Sequence, residues 1–291
     1  MHQAAQIRER DGRLSNGDFA RMSRLIYDEC GIKMPDVKRT MLEARLGKRL
    51  RSLGLHSFGE YCDYLFSREG MEQELVIMID LVTTNKTDFF REPAHFDYML
   101  LKLLPDWASN GNDLPERKFK VWSAGCSTGE EPYTLAMVLN EFALELPGFD
   151  YRILATDIST RVLETAIRAV YEEDKIEPVP QPIKKKYLLR GKDRSSGLVR
   201  IVPEIRAKVR FRRLNFMDAD FGITDKFDII FCRNVVIYFD RATQERLLTK
   251  FCAHLATDGY IFMGHSETLN GLDVPLAMTH PTVYRKTRKV A

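Results

Sequence analysis

The chain has 291 residues, of which 44% are hydrophobic and 29% charged, a composition typical of a globular protein with one large domain or two unequal ones. No apolar run approaches the ~18–20 residues that span a bilayer, so membrane insertion is not expected; the polar start predicts no secretory signal and a flexible tail over residues 1–14. The formal net charge of +3 is too small to indicate a nucleic-acid-binding protein by itself.

Helical patterns fill the first part of the chain, and we predict an all-helical domain with its linker over residues 15–90. Apolar residues recur at helical spacing from Asn16 to Cys30, and Gly31 follows as a stop signal. Asp36 is placed to cap a second helix, and Ser57 with Glu60 has the spacing of a capping box for a third.

The second predicted helix is basic, because residues 38–51 (KRTMLEARLGKRLR) carry many Lys and Arg but a single acid. Lys38, Arg45 and Arg49 lie on one flank of its apolar face, at spacings of seven and four residues. Such a local excess of positive charge can steer an acidic partner. A solvated charged face that binds nothing is the alternative interpretation.

From residue 91 onward, strands alternate with amphipathic helices, as in a parallel sheet that is covered by helices on both faces. We therefore predict an α/β domain over residues 91–291. A last strand-like segment, Thr282–Lys286, is placed to close one edge of the sheet. The main predicted strands are Lys118–Ser123, Tyr151–Thr156, Phe227–Cys232 and Tyr260–Gly264.

Residues 171–215 interrupt this alternation with prolines at positions 178, 180 and 182 and with a turn-rich stretch, Gly191–Gly197. Beside that stretch, Leu198–Val202 and Lys208–Arg212 alternate between apolar and polar residues like short strands. The pattern predicts a small β-hairpin or three-stranded insertion, with an irregular surface excursion as the alternative.

The cysteines are odd in number and far apart, and none forms a CxxC pair or has a histidine at metal-site spacing. This pattern predicts reduced thiols in a cytoplasmic protein and no structural metal. The five residues are Cys30, Cys62, Cys126, Cys232 and Cys252.

The loop after the first predicted strand lies within residues 122–133 (WSAGCSTGEEPY), where small residues let a ligand approach the backbone. It lacks GxGxxG, and the following helix begins with Glu130, Glu131 and Pro132. Two carboxylates at the positive end of a helix would repel a pyrophosphate but favour a sulfonium and an ammonium group. The loop therefore predicts S-adenosylmethionine as the cofactor in preference to a dinucleotide.

Asp157 ends the second predicted strand, at an offset from the loop that is a little longer than the usual ~20 residues. An acid at this position accepts hydrogen bonds from ribose hydroxyls in folds of this kind. Capping of the next helix is the alternative role for Asp157.

Five motifs stand in order along the chain: TTNKTDFFRE (83–92), WSAGCSTGEEPY (122–133), ATDIS (155–159), FCRNVVIYFD (231–240) and GHSE (264–267). Together they resemble the CheR family of chemotaxis receptor methyltransferases, over nearly the whole chain from about residue 18 to 285. The resemblance implies a Rossmann-like class I methyltransferase sheet with an N-terminal helical domain and a small antiparallel β insertion. It also implies a cytoplasmic protein-glutamate O-methyltransferase that forms receptor glutamate methyl esters and releases S-adenosylhomocysteine.

The same resemblance implies a cofactor site drawn from the linker and the strand ends. Its members would be Asn85, Thr87, Arg91, Glu131, Asp157, Asn215, Phe216, Arg233 and Asn234. Taken singly, Asn85 and Thr87 could be turn formers, Phe216 a core residue and Arg91 a surface ion-pair partner.

The acceptor chemistry needs little from the enzyme, because a glutamate with a pKa of about 4.3 is already ionised at neutral pH. It can attack a sulfonium methyl without a general base, so the task is alignment of the reacting atoms at about 3 Å. We predict that Arg91, through charge-assisted hydrogen bonds, and Tyr238, through its hydroxyl, orient the acceptor. Core packing is the alternative for Tyr238.

The partner implied by the resemblance is the acidic helical bundle of a receptor, which Lys38, Arg45 and Arg49 would attract. Some members of the family also bind a receptor C-terminal tether by strand addition, and a free edge near Leu198–Val202 would permit this. The turn Gly191–Gly197 lacks the interior glycine of those members, so the sequence does not decide whether this protein depends on a tether. No nucleic acid is expected as a partner. Two alternative functions are a methyltransferase of another substrate such as RNA and a non-enzymatic cofactor sensor.

Overall fold

The computed structural model describes residues 13–109, 117–191 and 197–287, and the chain folds as two units, residues 1–84 and 85–291. The division falls between Thr84 and Asn85, slightly before the predicted boundary at residue 91. Residues 1–12 of the predicted tail lie outside the described residues. Leu14 is buried, and its N–H donates to Glu43 Oε1 at 2.8 Å, so it is anchored to the first unit.

The first unit is all-helical, as predicted. A 3-10 turn, Asp36–Lys38, precedes the second helix, and no side chain caps it, so the predicted capping role of Asp36 was wrong. Ser57 caps the third helix as predicted, since its Oγ accepts from the Glu60 N–H at 3.2 Å. The helices are α1 Asn16–Cys30, α2 Arg39–Ser52, α3 Phe58–Leu65, α4 Arg68–Gln73 and α5 Leu75–Val82.

The second unit begins with helices to which the sequence patterns gave no assignment: α6 Ala94–Tyr98, a π-helical segment Met99–Leu103, and α7 Leu104–Ser109. Strands and helices then alternate. They are β1 Phe119–Ala124, α8 Glu130–Glu145, β2 Tyr151–Asp157, α9 Thr160–Arg168, β3 Val170–Glu172, α10 Gln181–Tyr187, β4 Leu188–Arg190, β5 Leu198–Ile201, α11 Pro203–Arg206, β6 Val209–Arg213, β7 Phe227–Cys232, α12 Arg241–His254, β8 Leu255–Met263, β9 Leu276–His280 and β10 Val283–Lys286.

The main sheet has seven strands in the order β6-β2-β1-β7-β8-β10-β9. Its first five members run parallel, whereas β10 is antiparallel to both β8 and β9. The chain leaves β1 toward β2 and β6, then returns to place β7 on the other side of β1. Ligands bind at the carboxyl ends of the strands beside such a switch point. The predicted α/β sheet is therefore confirmed, and it puts the loops after β1, β2, β6, β7 and β8 on one edge.

The edge opposite β6 differs from the prediction. Thr282–Lys286 was expected to close the sheet, but β10 lies between β8 and β9, and β9 is the edge strand. The sequence pattern missed β9 because most of its side chains are exposed, including Met278, so it shows no buried apolar face.

The predicted insertion is a three-stranded antiparallel sheet in the order β3-β5-β4. Two expectations about it were wrong. Lys208–Arg212 does not belong to it, because β6 pairs in parallel with β2, and its apolar residues Val209 and Phe211 pack on the main core. The edge near Leu198–Val202 is not free, because β5 is the central strand and pairs on both sides. The interior of the predicted turn, residues 192–196, lies outside the described residues.

All five cysteines are free and buried, as expected for reduced thiols. Among the described residues, no helix combines the length and apolarity that a bilayer span requires.

Candidate cofactor and active site

The loop between β1 and α8 is fixed by glycines that pack closely against neighbouring elements. Gly125 and Gly129 have φ values of 83° and 99°. A Cβ on Gly125 would lie 2.6 Å from Val235 Cγ2, and one on Gly129 would lie 2.8 Å from the Tyr171 hydroxyl. Larger residues would therefore displace the loop, for both steric and backbone reasons.

Asp157 holds this loop from the end of β2. Its Oδ2 accepts from the Ser127 N–H at 2.8 Å, and its Oδ1 accepts from the Ser159 N–H at 3.0 Å. The N-cap of α9 is Ser159, whose Oγ accepts from the Val162 N–H, so the capping alternative for Asp157 is not what the structure shows. A carboxylate oxygen can accept more than one hydrogen bond, so these backbone contacts do not by themselves prevent Asp157 from accepting from a ligand.

Glu131 and Arg233 form a buried ion pair at the same edge of the sheet. Arg233 Nε donates to Glu131 Oε2 at 2.7 Å, and the Ser123 hydroxyl donates to Glu131 Oε1 at 2.7 Å. The side chains are 3% exposed for Arg233 and 11% for Glu131. Arg233 Nη1 also donates to the carbonyl of Arg91 at 2.7 Å, which joins β7 to the segment that precedes α6.

These contacts change the reason for expecting a cationic cofactor. Arg233 balances the charge of Glu131, while Glu130 is buried, accepts from the Thr128 hydroxyl at 2.6 Å and has its pKa raised by burial. The sequence argument assumed that two free carboxylates at the helix start would repel a pyrophosphate. The structure does not support that reason, because both carboxyl groups are engaged within the fold. The loop region still carries Glu130, Glu131 and Asp157 against one guanidinium, which fits a sulfonium ligand without phosphate better than a polyanion.

The segment from Asn85 to Glu92 is tied to this loop. The carbonyl of Asn85 accepts from the Ser127 hydroxyl at 2.8 Å, and the Phe90 N–H donates to the Thr134 hydroxyl at 3.1 Å. Phe90 and Glu92 have φ values of 53° and 57°, which is rare for bulky residues and costs energy that the surrounding contacts must offset. Arg91 lies between them, half-buried, with Nη1 donating to the Lys86 carbonyl at 3.1 Å.

Glu267, in the loop after β8, organises the segment after β7. Its carboxylate is 3% exposed and accepts from the N–H groups of Asn234 at 2.8 Å and Val235 at 2.9 Å. It also accepts from Val236 at 2.8 Å, Ile237 at 3.4 Å and Gly264 at 2.6 Å. The GHSE motif pointed to this glutamate but gave it no role. Four of its five partners lie 30 to 33 residues away in the chain, so spacing alone could not reveal its role.

Tyr238 closes the segment that Glu267 holds. It ends a 3-10 turn, Val236–Tyr238, and its side chain is half-buried, which does not favour the core-packing alternative. Asn215 and Phe216 follow β6. Asn215 Oδ1 accepts from the Met217 N–H at 3.0 Å, and Phe216 is buried edge-on against Phe251. That packing agrees with the alternative that Phe216 is a core residue, and its contact with a cofactor stays a prediction.

The hydrogen bonds thus bring most of the predicted cofactor residues to one edge of the second unit. The contact of each of these residues with a cofactor stays a prediction. The loop and strand-end contacts join Asn85, Arg91, Glu131, Asp157, Arg233 and Asn234. Thr87 lies in the same segment as Asn85 and is half-buried.

His95 is a buried neutral residue behind the Arg233 pair. Its Nε2 lies 2.8 Å from the Thr282 hydroxyl, and its Nδ1 lies 3.3 Å from Arg233 Nη1. Glu92, His95 and His265 have donor atoms within 4.8 Å of one another, but the guanidinium beside His95 and Glu92 disfavours a metal cation there. Burial, and then the charge of Arg233, lower the pKa of His95 to about 3.

This shift predicts acid destabilisation. Between pH 6.5 and 3 the unfolded chain binds a proton on His95 that the folded chain does not, so stability is lost as pH falls below 6.5. From pH 7.5 to 5.5 we expect His95 alone to cost about 1.4 kcal/mol. Urea unfolding of the His95→Gln variant should show a flatter pH profile than wild type, whereas exposed His56→Gln should not. Equal profiles for wild type and His95→Gln would contradict the assignment.

The predicted recognition residues lie in the first unit, where all three have internal partners. Arg49 pairs with Glu74, which is fully buried, through Nη2 at 2.6 Å, and the Tyr61 hydroxyl donates to the same carboxylate at 2.9 Å. Arg45 Nη1 donates to the carbonyls of Val82 at 2.6 Å and Thr83 at 3.0 Å. Both arginines therefore anchor α2 to the region of α5, which sequence spacing did not indicate.

Lys38 Nζ donates to the Lys33 carbonyl at 3.3 Å, and burial lowers its pKa. Its charge is therefore also partly engaged within the unit.

Comparisons with known proteins cover both units. The family model described as "CheR methyltransferase, all-alpha domain" matches residues 17–83, and "CheR methyltransferase, SAM binding domain" matches residues 85–284. A chemotaxis protein methyltransferase of Borreliella burgdorferi is 39% identical over 94% of this chain and 95% of its own. One of Escherichia coli is 40% identical over 93% and 91%, and chemotaxis protein methyltransferase 2 of Pseudomonas aeruginosa is 43% identical over 86% of each.

Proposed function

The chain belongs to the CheR methyltransferase family, and from that premise we propose that it methylates glutamate carboxylates of chemotaxis receptors. The products would be glutamate methyl esters and S-adenosylhomocysteine, formed in the cytoplasm. The observation that carries the proposal is the edge of the second unit, where Asp157 holds the loop after β1 and Arg233 is hydrogen-bonded to both Glu131 and the carbonyl of Arg91.

The residues at this edge fit S-adenosylmethionine, which when bound supplies an electrophilic methyl group on a sulfonium. Asp157 is proposed to accept hydrogen bonds from the ribose hydroxyls, and its two backbone hydrogen bonds keep it aligned with the loop. The excess of carboxylate over guanidinium favours a cationic ligand. Further contacts are proposed for Asn85, Thr87, Glu131, Asn215, Phe216, Arg233 and Asn234.

Arg91 and Tyr238 are the proposed orienting residues for the acceptor. Arg91 lies in a strained turn fixed by Arg233, and Tyr238 ends the segment fixed by Glu267. A guanidinium and a phenol can hold an incoming carboxylate without removing a proton from it, which suits an acceptor that is already ionised.

Replacing Arg91 with alanine is expected to abolish methyl transfer while the protein stays folded. Its side chain makes one 3.1 Å hydrogen bond to a carbonyl, so the loss of stability should be about 1 kcal/mol or less, whereas loss of acceptor alignment should cost at least about a hundredfold in rate. Transfer of labelled methyl and a thermal melt measure the two effects. Exposed Arg168→Ala is the matched control. Near-wild-type turnover of Arg91→Ala would contradict the proposed role of Arg91 in orienting the acceptor.

Recognition of the receptor is proposed for Arg45 and Arg49 on α2 and for Lys38 in the 3-10 turn that precedes it. Because Arg49 neutralises the buried Glu74, reversing its charge would unfold the first unit and give no information on binding. The test therefore uses Lys38→Glu and Arg45→Gln. We expect a several-fold lower kcat/KM for the receptor at low salt with unchanged cofactor affinity. Unchanged receptor kinetics in folded variants would show that Lys38 and Arg45 do not contribute to receptor recognition.

A receptor tether is a further proposed partner. Since β5 is central, an added strand would have to pair with β4 or β3, which form the outer edges of the small sheet.

One experiment separates this function from its two alternatives. The purified protein is incubated with labelled S-adenosylmethionine and either receptor-rich membranes or RNA. Label in receptor protein supports the proposal, label in RNA supports the RNA methyltransferase, and bound cofactor without transfer to either supports a sensor.

A further inference from the structure

Part of one face of the main sheet, at β1, β2 and β6, lacks a covering helix. In a parallel sheet each crossover normally carries a helix that packs on one face. The connection from β6 to β7, residues 214–226, contains no helix. A groove of about 270 Å³ lies on β1, β2 and β6 beside this connection.

The groove is lined by four cations from three adjacent strands. Lys120 on β1 is the register partner of Arg152 on β2, while Arg210 and Arg212 on β6 pair with Leu154 and Thr156 of β2. Side chains at alternate positions share a face, and register neighbours project to the same side, so the four cationic side chains converge there. We call these four residues, with Asp225, the basic groove.

Two of the cations are committed within the fold. Lys120 forms an ion pair with Asp225, and Arg212 donates to the carbonyl of Gly222 at 3.0 Å. Arg152 and Arg210 are exposed, and within the described ranges no carboxylate pairs with either of them. The basic groove therefore carries a clear excess of positive charge, which is not the charge of α2 and does not arise from the cofactor edge.

We propose that the basic groove binds an acidic segment of a partner protein. Paired guanidinium groups recognise carboxylates by bidentate hydrogen bonds, and Arg152 and Arg210 are available for this. Single-stranded nucleic acid fits less well, because such sites also use exposed aromatic rings on which bases stack. The aromatic residue that lines this groove, Phe227, is 3% exposed.

The test is fluorescence anisotropy of a fluorescein-labelled oligoglutamate peptide at low ionic strength. Arg152→Glu/Arg210→Glu should bind the peptide at least about tenfold more weakly than wild type. The matched control, Arg168→Glu/Lys185→Glu, makes the same charge change at exposed sites on α9 and α10 and should bind like wild type. Thermal melts and cofactor titration should be unchanged in both variants.

Three outcomes would overturn the proposal. Equal weakening in both variants would show that the peptide senses only total charge. Retained affinity in the groove variant would show that the arginines merely cover an open sheet with their aliphatic stems. Tighter binding of labelled single-stranded RNA than of the peptide, lost in the groove variant, would assign the groove to nucleic acid.

Discussion

Replacing Arg233 with methionine is expected to lower the free energy of unfolding of the second unit by about 3–5 kcal/mol and to abolish methyl transfer. The substitution leaves Glu131 buried without its counter-charge and frees the carbonyl of Arg91. It also removes a guanidinium that packs over the ring of Phe231. Arg91 would lose its support at the same time, so activity should fall more than stability alone explains.

Both tryptophans of the chain, Trp107 and Trp122, lie in the second unit, so their fluorescence in urea reports its unfolding selectively. The discriminating variant is Arg233→Met combined with Glu131→Gln. Removing both charges should recover part of the lost stability, because no unpaired buried charge remains, yet activity should stay low. A double variant no more stable than Arg233→Met would contradict the ion-pair account.

Replacing Glu267 with glutamine is expected to destabilise the second unit by about 2–4 kcal/mol and to weaken the cofactor site. The carboxylate accepts from five backbone N–H groups, whereas an amide of the same shape would turn an NH₂ toward some of them. The segment that carries Asn234 and Tyr238 would then lose its fixed position.

The measurement for Glu267 is a cofactor titration and a urea midpoint on the same preparation. Exposed Glu164→Gln, which makes the same chemical change on α9, should stay within about 0.5 kcal/mol of wild type. A Glu267→Gln protein that melts and binds cofactor like this control would show that the five contacts are dispensable.

Local patterns were sufficient for most of the architecture. Helical periodicity predicted α1, α2 and α3 of the first unit, and short apolar runs predicted the strands β1, β2, β7 and β8. The motif around residues 122–133 predicted the loop between β1 and α8, because glycine positions and a proline at the helix start are local requirements.

Features that depend on distant partners were not readable from the sequence. β6 alternates like a hairpin strand, and only its pairing with β2 assigns it to the main sheet. From the sequence, Arg49 has the pattern of a surface cation, and only the structure shows that it pairs with Glu74. In the same way, the sequence does not indicate that Glu131 pairs with Arg233. The GHSE motif marks Glu267 but not its role, because four of its five amide partners lie in another loop.

The chemistry of the labelled product tests the central claim most directly. Receptor protein labelled by this enzyme with radioactive methyl groups is held in mild alkali, and volatile methanol is collected. Carboxyl methyl esters hydrolyse under these conditions, so the account predicts release of nearly all the label. Label that stays on the protein would indicate N- or C-methylation, and would contradict an enzyme whose site aligns an already ionised glutamate.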